Sequence, residues 1–411
     1  MKPTPVDIHI KSDMTEPFTI PSEEIARRQL SIQKALQLNR IDGLLIVQRV
    51  DLLYFSGTAQ SGFLYLPAEG EPLLFIKRYL PRAQQESPFK HIVEINSVKE
   101  VPHLIADFYG RFPNVLGFEF DVLPIKTFNF YRRLFPAREF KDGSRFILNV
   151  RMIKSNWEIK QLERTAAMSR QTFEYMQTII RPGLTEMEFA GLFEAFARKL
   201  GHGANLRVRD FLSEGYPWHV LSGKSGGLVG LLDSPASGEG TSIASPCGAG
   251  NKTFSPKEPI MVDFASVLNG YHMDETRMFA IGSMPDQAMP ACQAAIEIHN
   301  AILEKVKPQI TVAELFEHAV AMAASLGYAE PFLGPPGYKV NFVGHGIGLE
   351  LIEPPIIAKD KKDRLEPGMV FALEPKMVFQ NEFAAGIESV FVVTETGARL
   401  LSKVPLEIFI C

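Results

Sequence analysis

At 411 residues the chain is long for one simple core and is expected to form two domains of ordinary size. A net charge of -4, from 43 basic and 47 acidic side chains, gives no sign of the overall basic excess typical of nucleic-acid or anionic-membrane binding. No apolar run approaches a transmembrane span, the first residues lack the apolar core of a signal peptide, and Cys247, Cys292 and Cys411 are too scattered for a disulfide framework, so a cytoplasmic protein with free thiols is expected.

In chain order, an amphipathic stretch from Glu23 to Asn39 predicts a helix, followed by the apolar run Gly43-Leu-Leu-Ile-Val47. Gly62-Phe-Leu-Tyr-Leu66 and Pro72-Leu-Leu-Phe-Ile76 read as a hairpin, and helix-like segments flank Val115-Leu-Gly-Phe-Glu-Phe120. This alternation predicts an α/β layer domain with no motif for chemistry of its own.

Beyond it the sequence repeats. Arg181-Pro-Gly-Leu-Thr185 matches Lys307-Pro-Gln-Ile-Thr311, and in each copy a Glu (Glu188, Glu314) follows the Thr by three, as in a capping box opening a helix. Leu200-Gly201 and Leu326-Gly327 provide the expected stops. Pro-x-x-Thr-x-x-Glu is a common helix start, but every pair here is offset by the same 126 positions. The pattern predicts two pseudo-symmetric halves of one domain.

Ser222 to Asn251 holds eight glycines and six serines and predicts a functional loop at the mouth of a site. Gly223-Lys-Ser225 within it is no phosphate-binding loop, because Trp218 stands where that motif needs its first glycine.

Five residues carry the chemistry. Pro259-Ile-Met-Val-Asp263 and Tyr271-His-Met-Asp274-Glu-Thr-Arg277 read as strands joined by a turn at Asn269-Gly270, which folds the two aspartates together. Strand alternation sends Asp274 and Thr276 to one face, Glu275 and Arg277 to the other. His345 sits among glycines in Gly344-His-Gly-Ile-Gly348, Glu374 ends the run Met369-Val-Phe-Ala-Leu373, and Glu388 opens Ser389-Val-Phe-Val-Val393. Four converging carboxylates repel one another and lose hydration, so a cation must compensate. Two divalent ions would balance them, and oxygen ligands with one imidazole suit manganese, with cobalt, zinc or iron as alternatives. Such a pair can hold a bridging hydroxide and polarise a carbonyl.

These strings, together with Glu366-Pro-Gly-Met-Val370, Leu373-Glu-Pro375 and Gly386-Ile-Glu388, resemble the pita-bread metallopeptidases: aminopeptidase P, prolidase, methionine aminopeptidase and their metal-free relative creatinase. The resemblance covers roughly the last 255 residues. It implies an α+β fold, with a creatinase-like N-terminal α/β domain over 1–154 and a pita-bread catalytic domain over 155–411. It further implies that Asp263 chelates one ion, that His345 and Glu374 chelate the other, that Asp274 and Glu388 bridge, and that Glu374 accepts the proton of the attacking water. A homodimer is implied in the same way.

The chain also departs from that pattern. Ile352 stands where the family usually has a histidine seven residues past the ligand histidine, no histidine lies near Pro246 and Cys247, and Gly386 replaces an arginine. Losing one preorganised oxyanion donor typically costs about 3 to 4 kcal/mol of barrier. His219 is the candidate substitute for substrate binding, with a structural histidine as its alternative reading, while His272 reads as a structural histidine. Tyr216, Trp218 and Phe342 are candidates for an apolar wall against a proline ring. The resemblance thus implies a dinuclear hydrolase cleaving the amide bond to proline in small peptides. Two alternatives stay open: the same metal site used in a lyase or other non-peptide reaction, and a non-catalytic binding protein. Four costly inward carboxylates argue against the last.

Overall fold

The computed structural model describes residues 18–209, 218–231 and 234–411. The chain divides into two compact units after Arg151. Among the described residues no helix is long and apolar enough to cross a membrane.

In the first unit, Ser22–Leu38 forms the expected helix and buries Ile25, Ile32 and Leu36, which recur at helical spacing. Its Arg28 is fully buried, pairs with Glu24 at 2.8 Å and lies over the Tyr54 ring. A six-stranded sheet runs in the order Ile92–Glu94, Leu73–Ile76, Gly62–Pro67, Gly43–Ile46, Val115–Phe118, Glu139–Asp142. The predicted hairpin is present, with Phe63 opposite Phe75 and Leu64 opposite Leu74.

The second unit carries the duplication. Glu186–Lys199 and Val312–Ser325 are helices of equal length, 14 residues, and each opens with a complete capping box, Thr185 with Glu188 and Thr311 with Glu314. Each ends at a glycine of positive φ, Gly201 at 101° and Gly327 at 85°, where an L side chain would be strained. Longer helices, Asn156–Ile179 and Met289–Lys305, precede the two copies. Each half has its own core: Phe173, Phe189, Phe193, Phe264 and Phe279 in one, Ile298, Leu315, Phe371 and Phe391 in the other. Truncating one of these buried phenylalanines to alanine would cost about 3 to 5 kcal/mol.

Three sheets complete this unit. A four-stranded sheet runs Phe409–Ile410, Tyr271–Ala280, Ile260–Leu268, His219–Ser222, and a five-stranded one Glu353–Ala358, Phe342–Gly346, Val370–Leu373, Ser389–Val393, Ala398–Leu400. Lys376–Phe379 pairs separately with Phe383–Gly386. The turn at Asn269 (φ 54°) and Gly270 (φ 86°) has positive φ at both central positions, which matches the right-handed twist of the strands it joins.

The glycine-rich segment is ordered around one buried carboxylate. Glu186, the first residue of its helix, accepts from Ser222 N at 2.7 Å, from the Ser222 and Ser225 hydroxyls, and from Gly250 N at 2.8 Å. Both ends of the loop are thereby tied to the start of one helix. Cys247, Cys292 and Cys411 are free thiols.

Candidate metal centre

The hairpin register pairs Asp263 with Thr276 and Ala265 with Asp274, so both aspartates lie on one face of the sheet. On the other face, Glu275 meets Ser169 of the Asn156–Ile179 helix. Arg277 is buried and donates to the carbonyls of Thr276, Glu388, Val404 and Pro405. The guanidinium therefore fixes the backbone from which Glu388 projects. The alternation read from the sequence holds residue by residue.

His345 lies on Phe342–Gly346, opposite Ala372. Its glycine neighbours are required sterically: a Cβ at Gly344 would stand 2.5 Å from the Ala372 carbonyl oxygen, and one at Gly346 2.5 Å from that of Pro354. Glu374 follows Val370–Leu373, with its own N–H donating to Val343 O at 2.9 Å. Glu388 precedes Ser389–Val393 and accepts from Thr276 Oγ1 at 2.9 Å.

All five residues line one cavity of about 490 Å³. Nε2 of His345 is 3.8 Å from Asp274 Oδ2, 3.8 Å from Glu374 Oε1 and 3.9 Å from Glu388 Oε1. Two atoms each about 2.1 Å from a common ion lie no more than about 4.2 Å apart, so these spacings suit a shared ion. One ligand atom from each of Asp274, His345 and Glu388 lies within 4.8 Å of the other two. Asp274 Oδ1 and Glu388 Oε1 are buried with no hydrogen-bond partner among the described residues, as expected of oxygens aimed at a cation. The donor set fits a divalent ion there.

Asp263 has different company. Lys376, two residues beyond Glu374, is buried and directs Nζ into the carboxylate cluster, 2.7 Å from Glu374 Oε2, 2.9 Å from Asp263 Oδ2 and 3.2 Å from Glu388 Oε2. Sequence reasoning missed this residue. Its signals were its nearness to Glu374 and the glycine, Gly386, opposite it in register. Burial works to lower the Lys376 pKa, but Asp263, Glu374 and Glu388 outweigh it and hold the ammonium well above its ordinary range. Burial likewise works to raise Asp263, yet Lys376 and His219 hold it low. Asp274 is pushed well up by burial and by the charges of Glu388 and Asp263. Glu388 is raised to about 8, by burial and then by the Glu374 and Asp263 charges, against the pull of Lys376.

His219 lines the cavity, with Nδ1 3.4 Å from Asp263 Oδ2, and its Nε2 is buried with no partner among the described residues. His272 is held by Gly348 O and by the Arg207 N–H on its two ring nitrogens, and burial lowers its pKa to about 4. Trp218, Phe342, Leu351, Ile352 and Ile356 supply apolar wall, while Arg209 and Ser234, not singled out from the sequence, add polar groups. Ser234 belongs to the glycine-rich loop, which thus contributes to the cavity lining. Tyr216 lies outside the described residues. Cys247 is buried and is not among the residues that line this cavity.

The chain matches two family descriptions, "Creatinase/Prolidase N-terminal domain" over residues 28–153 and "Metallopeptidase family M24" over 160–395. The uncharacterized peptidase YqhT of Bacillus subtilis is 26% identical over 373 residues, covering 90% of this chain and 96% of the relative. The Xaa-Pro dipeptidase of Pyrococcus furiosus is 24% identical over 377 residues, covering 91% and 97%. Among solved structures, the Xaa-Pro dipeptidase from Bacillus anthracis superposes with a TM-score of 0.79 at 24% identity over 94% of this chain and all of that one, a likeness of fold. The chain belongs to metallopeptidase family M24. It is a metallopeptidase-like hydrolase of pita-bread fold behind a creatinase-type N-terminal domain.

Proposed function

We propose that this protein hydrolyses the amide bond to proline in small peptides, using divalent metal held by the carboxylate and imidazole cluster. The observation that carries the reading is one cavity in which Asp263, Asp274, His345, Glu374 and Glu388 meet an apolar wall of Trp218, Phe342 and Ile356. Relatives named as Xaa-Pro dipeptidases over nearly the whole chain support it. A bound ion would supply Lewis acidity toward the scissile carbonyl and a water of lowered pKa.

The chain's own residues do the rest. Asp274, His345 and Glu388 would hold the ion with Glu374 beside them, while Asp263 is paired with Lys376. Glu374 takes the proton of the attacking water and returns it to the leaving imide nitrogen, which must be protonated to depart. Its Oε1 faces His345 while Oε2 is fixed by Lys376, so the carboxylate is held in one orientation. His219 is anchored through Nδ1 to Asp263, leaving Nε2 for a polar group of the substrate. The apolar wall takes the pyrrolidine ring and excludes water.

The test is release of proline from Xaa-Pro dipeptides and of the Pro-Yaa dipeptide from Xaa-Pro-Yaa tripeptides by manganese-loaded protein, with Glu374→Gln as control. Release abolished by Glu374→Gln is expected. Failure to cleave the Xaa-Pro bond of any of them, by folded protein that holds metal, would overturn the reading and turn the search to non-peptide substrates.

A further inference from the structure

Lys376 brings a fixed positive charge into the centre where the family resemblance implies two ions. Its ammonium has three N–H donors, and three carboxylate oxygens from three segments, Asp263, Glu374 and Glu388, surround it within 3.2 Å. No donor is left over for a substrate, so the group acts as a counter-ion and takes no part in binding or proton transfer. Two of the shared carboxylates turn one oxygen to the ammonium and the other away from it, while Asp263 gives Oδ2 to both the ammonium and His219. Glu374 gives Oε2 to the ammonium and Oε1 to the His345 side, and Glu388 gives Oε2 to the ammonium and leaves Oε1 buried and unpartnered. Carboxylates that straddle two cations in this way are the arrangement a two-ion site uses, with an ammonium standing at one of the two positions.

The fold has made room for it. Lys376 and Gly386 are opposite each other across the Lys376–Phe379 and Phe383–Gly386 pair, and a Cβ on Gly386 would stand 2.6 Å from Lys376 Cγ. Any larger residue at 386 would have to displace the lysine stem.

We infer that the Lys376 ammonium is a resident cation replacing one of two metal ions, so that the protein loads a single divalent ion, held by Asp274, His345 and Glu388 with Glu374 beside them. The inference rests on the proposed reading of this cluster as a metal site. It changes what the centre can do. A single ion retains Lewis acidity and an activated water, whereas a hydroxide bridging two metals has no second metal to bridge to.

Metal analysis and electron paramagnetic resonance of the full-length protein, loaded with manganese and desalted, test this without any substrate. The wild type is expected to retain about one manganese per chain with the six-line signal of an isolated ion, and Lys376→Gly about two with an exchange-coupled signal. Two ions or a coupled spectrum in the wild type would overturn the inference, as would equal stoichiometry in both proteins or no manganese in the wild type. If Lys376→Gly does not fold, the wild-type stoichiometry and spectrum decide alone. Xaa-Pro cleavage is scored separately: one ion without cleavage removes the proposed substrate, and cleavage with two ions removes the role of Lys376.

Discussion

Lys376 and Gly386 are paired in register, and the missing side chain of Gly386 is the space through which the lysine stem reaches Asp263, Glu374 and Glu388. Gly386 is not among the glycines of positive φ, so alanine there meets no backbone strain and only the 2.6 Å encounter with Lys376 Cγ. Gly386→Ala should cost about 1 to 3 kcal/mol by overpacking. In a Lys376→Gly background the same change should cost less than about 0.5 kcal/mol, because the clashing atoms are gone. A double-mutant cycle from urea melts in EDTA measures the coupling; equal costs in both backgrounds would show that the two residues do not share this space.

Removing the ammonium without adding a metal should expose how much the cluster depends on it. Lys376→Met keeps the stem length but leaves Asp263, Glu374 and Glu388 facing one another in a buried site. Breaking a buried pair from one side typically costs about 3 to 5 kcal/mol. The variant should therefore melt well below the wild type in EDTA and recover more stability than the wild type on adding manganese. Differential scanning calorimetry with and without the metal reads both terms. A wild type and variant that gain equally would mean that the carboxylates are neutralised by protons instead.

How much of this could be read in advance divides along a physical line. The five cluster residues, the two capped helices and the hairpin were legible because each is encoded by residues adjacent in sequence: Thr185 with Glu188, Asn269 with Gly270, His345 among glycines. Strand alternation then fixed which of Asp274, Glu275, Thr276 and Arg277 faced the site. Lys376 was not legible, because a lysine opening a strand usually faces water, and what turns this one inward is Gly386, ten residues on and across a strand pair. Four converging carboxylates need a cation, and here a lysine side chain that no local motif announces supplies one. The role of Glu186 was hidden likewise: an acidic residue in a first helical turn reads as dipole compensation, yet this one is buried and ties together Ser222, Ser225 and Gly250.

Glu186 gives the third prediction. Hydrogen bonds to a charged acceptor contribute about 1.5 to 3 kcal/mol each, and Glu186→Ala removes several at once, leaving the Gly250 N–H unsatisfied and the Ser222 N–H with only the Ser225 hydroxyl. Stability should fall by about 3 kcal/mol or more. Limited proteolysis should cut between Ser222 and Asn251 faster than in the wild type. Since Ser234 of that loop lines the cavity, KM should rise more than kcat falls.

Three buried histidines set the acid limit of stability. Burial lowers His202, His272 and His299 to about 4, against an ordinary value near 6.5. The unfolded chain takes up protons at these positions as pH falls below about 6.5, while the folded chain does not until about 4. Stability from this source is therefore complete above about 6.5 and is lost as pH drops through that window, by about 1.4 kcal/mol per pH unit for each histidine. Denaturant melts in EDTA between pH 7.5 and 4.5 should show it. His299→Gln should shallow the slope by about one proton, and a slope unchanged by that substitution would remove His299 from the set.

Ile352 offers the most direct test of how the site stabilises developing negative charge. It lines the cavity where the family resemblance implies a histidine, and it is 37% exposed, so a polar side chain there incurs little burial penalty. Removing a preorganised oxyanion donor from an enzyme usually costs 10² to 10³ in kcat; restoring one without optimising its surroundings should return roughly tenfold. Ile352→His is thus expected to raise kcat for Xaa-Pro substrates with KM changed by less than about twofold, because the new bond forms mainly in the transition state. An unchanged kcat would mean that a group already present supplies the donor. His219, Arg209 and Ser234 are the polar side chains of the cavity wall outside the carboxylate cluster that could do so, and His219→Ala, Arg209→Ala and Ser234→Ala compared in the wild type would then separate them, the responsible one losing kcat at nearly constant KM.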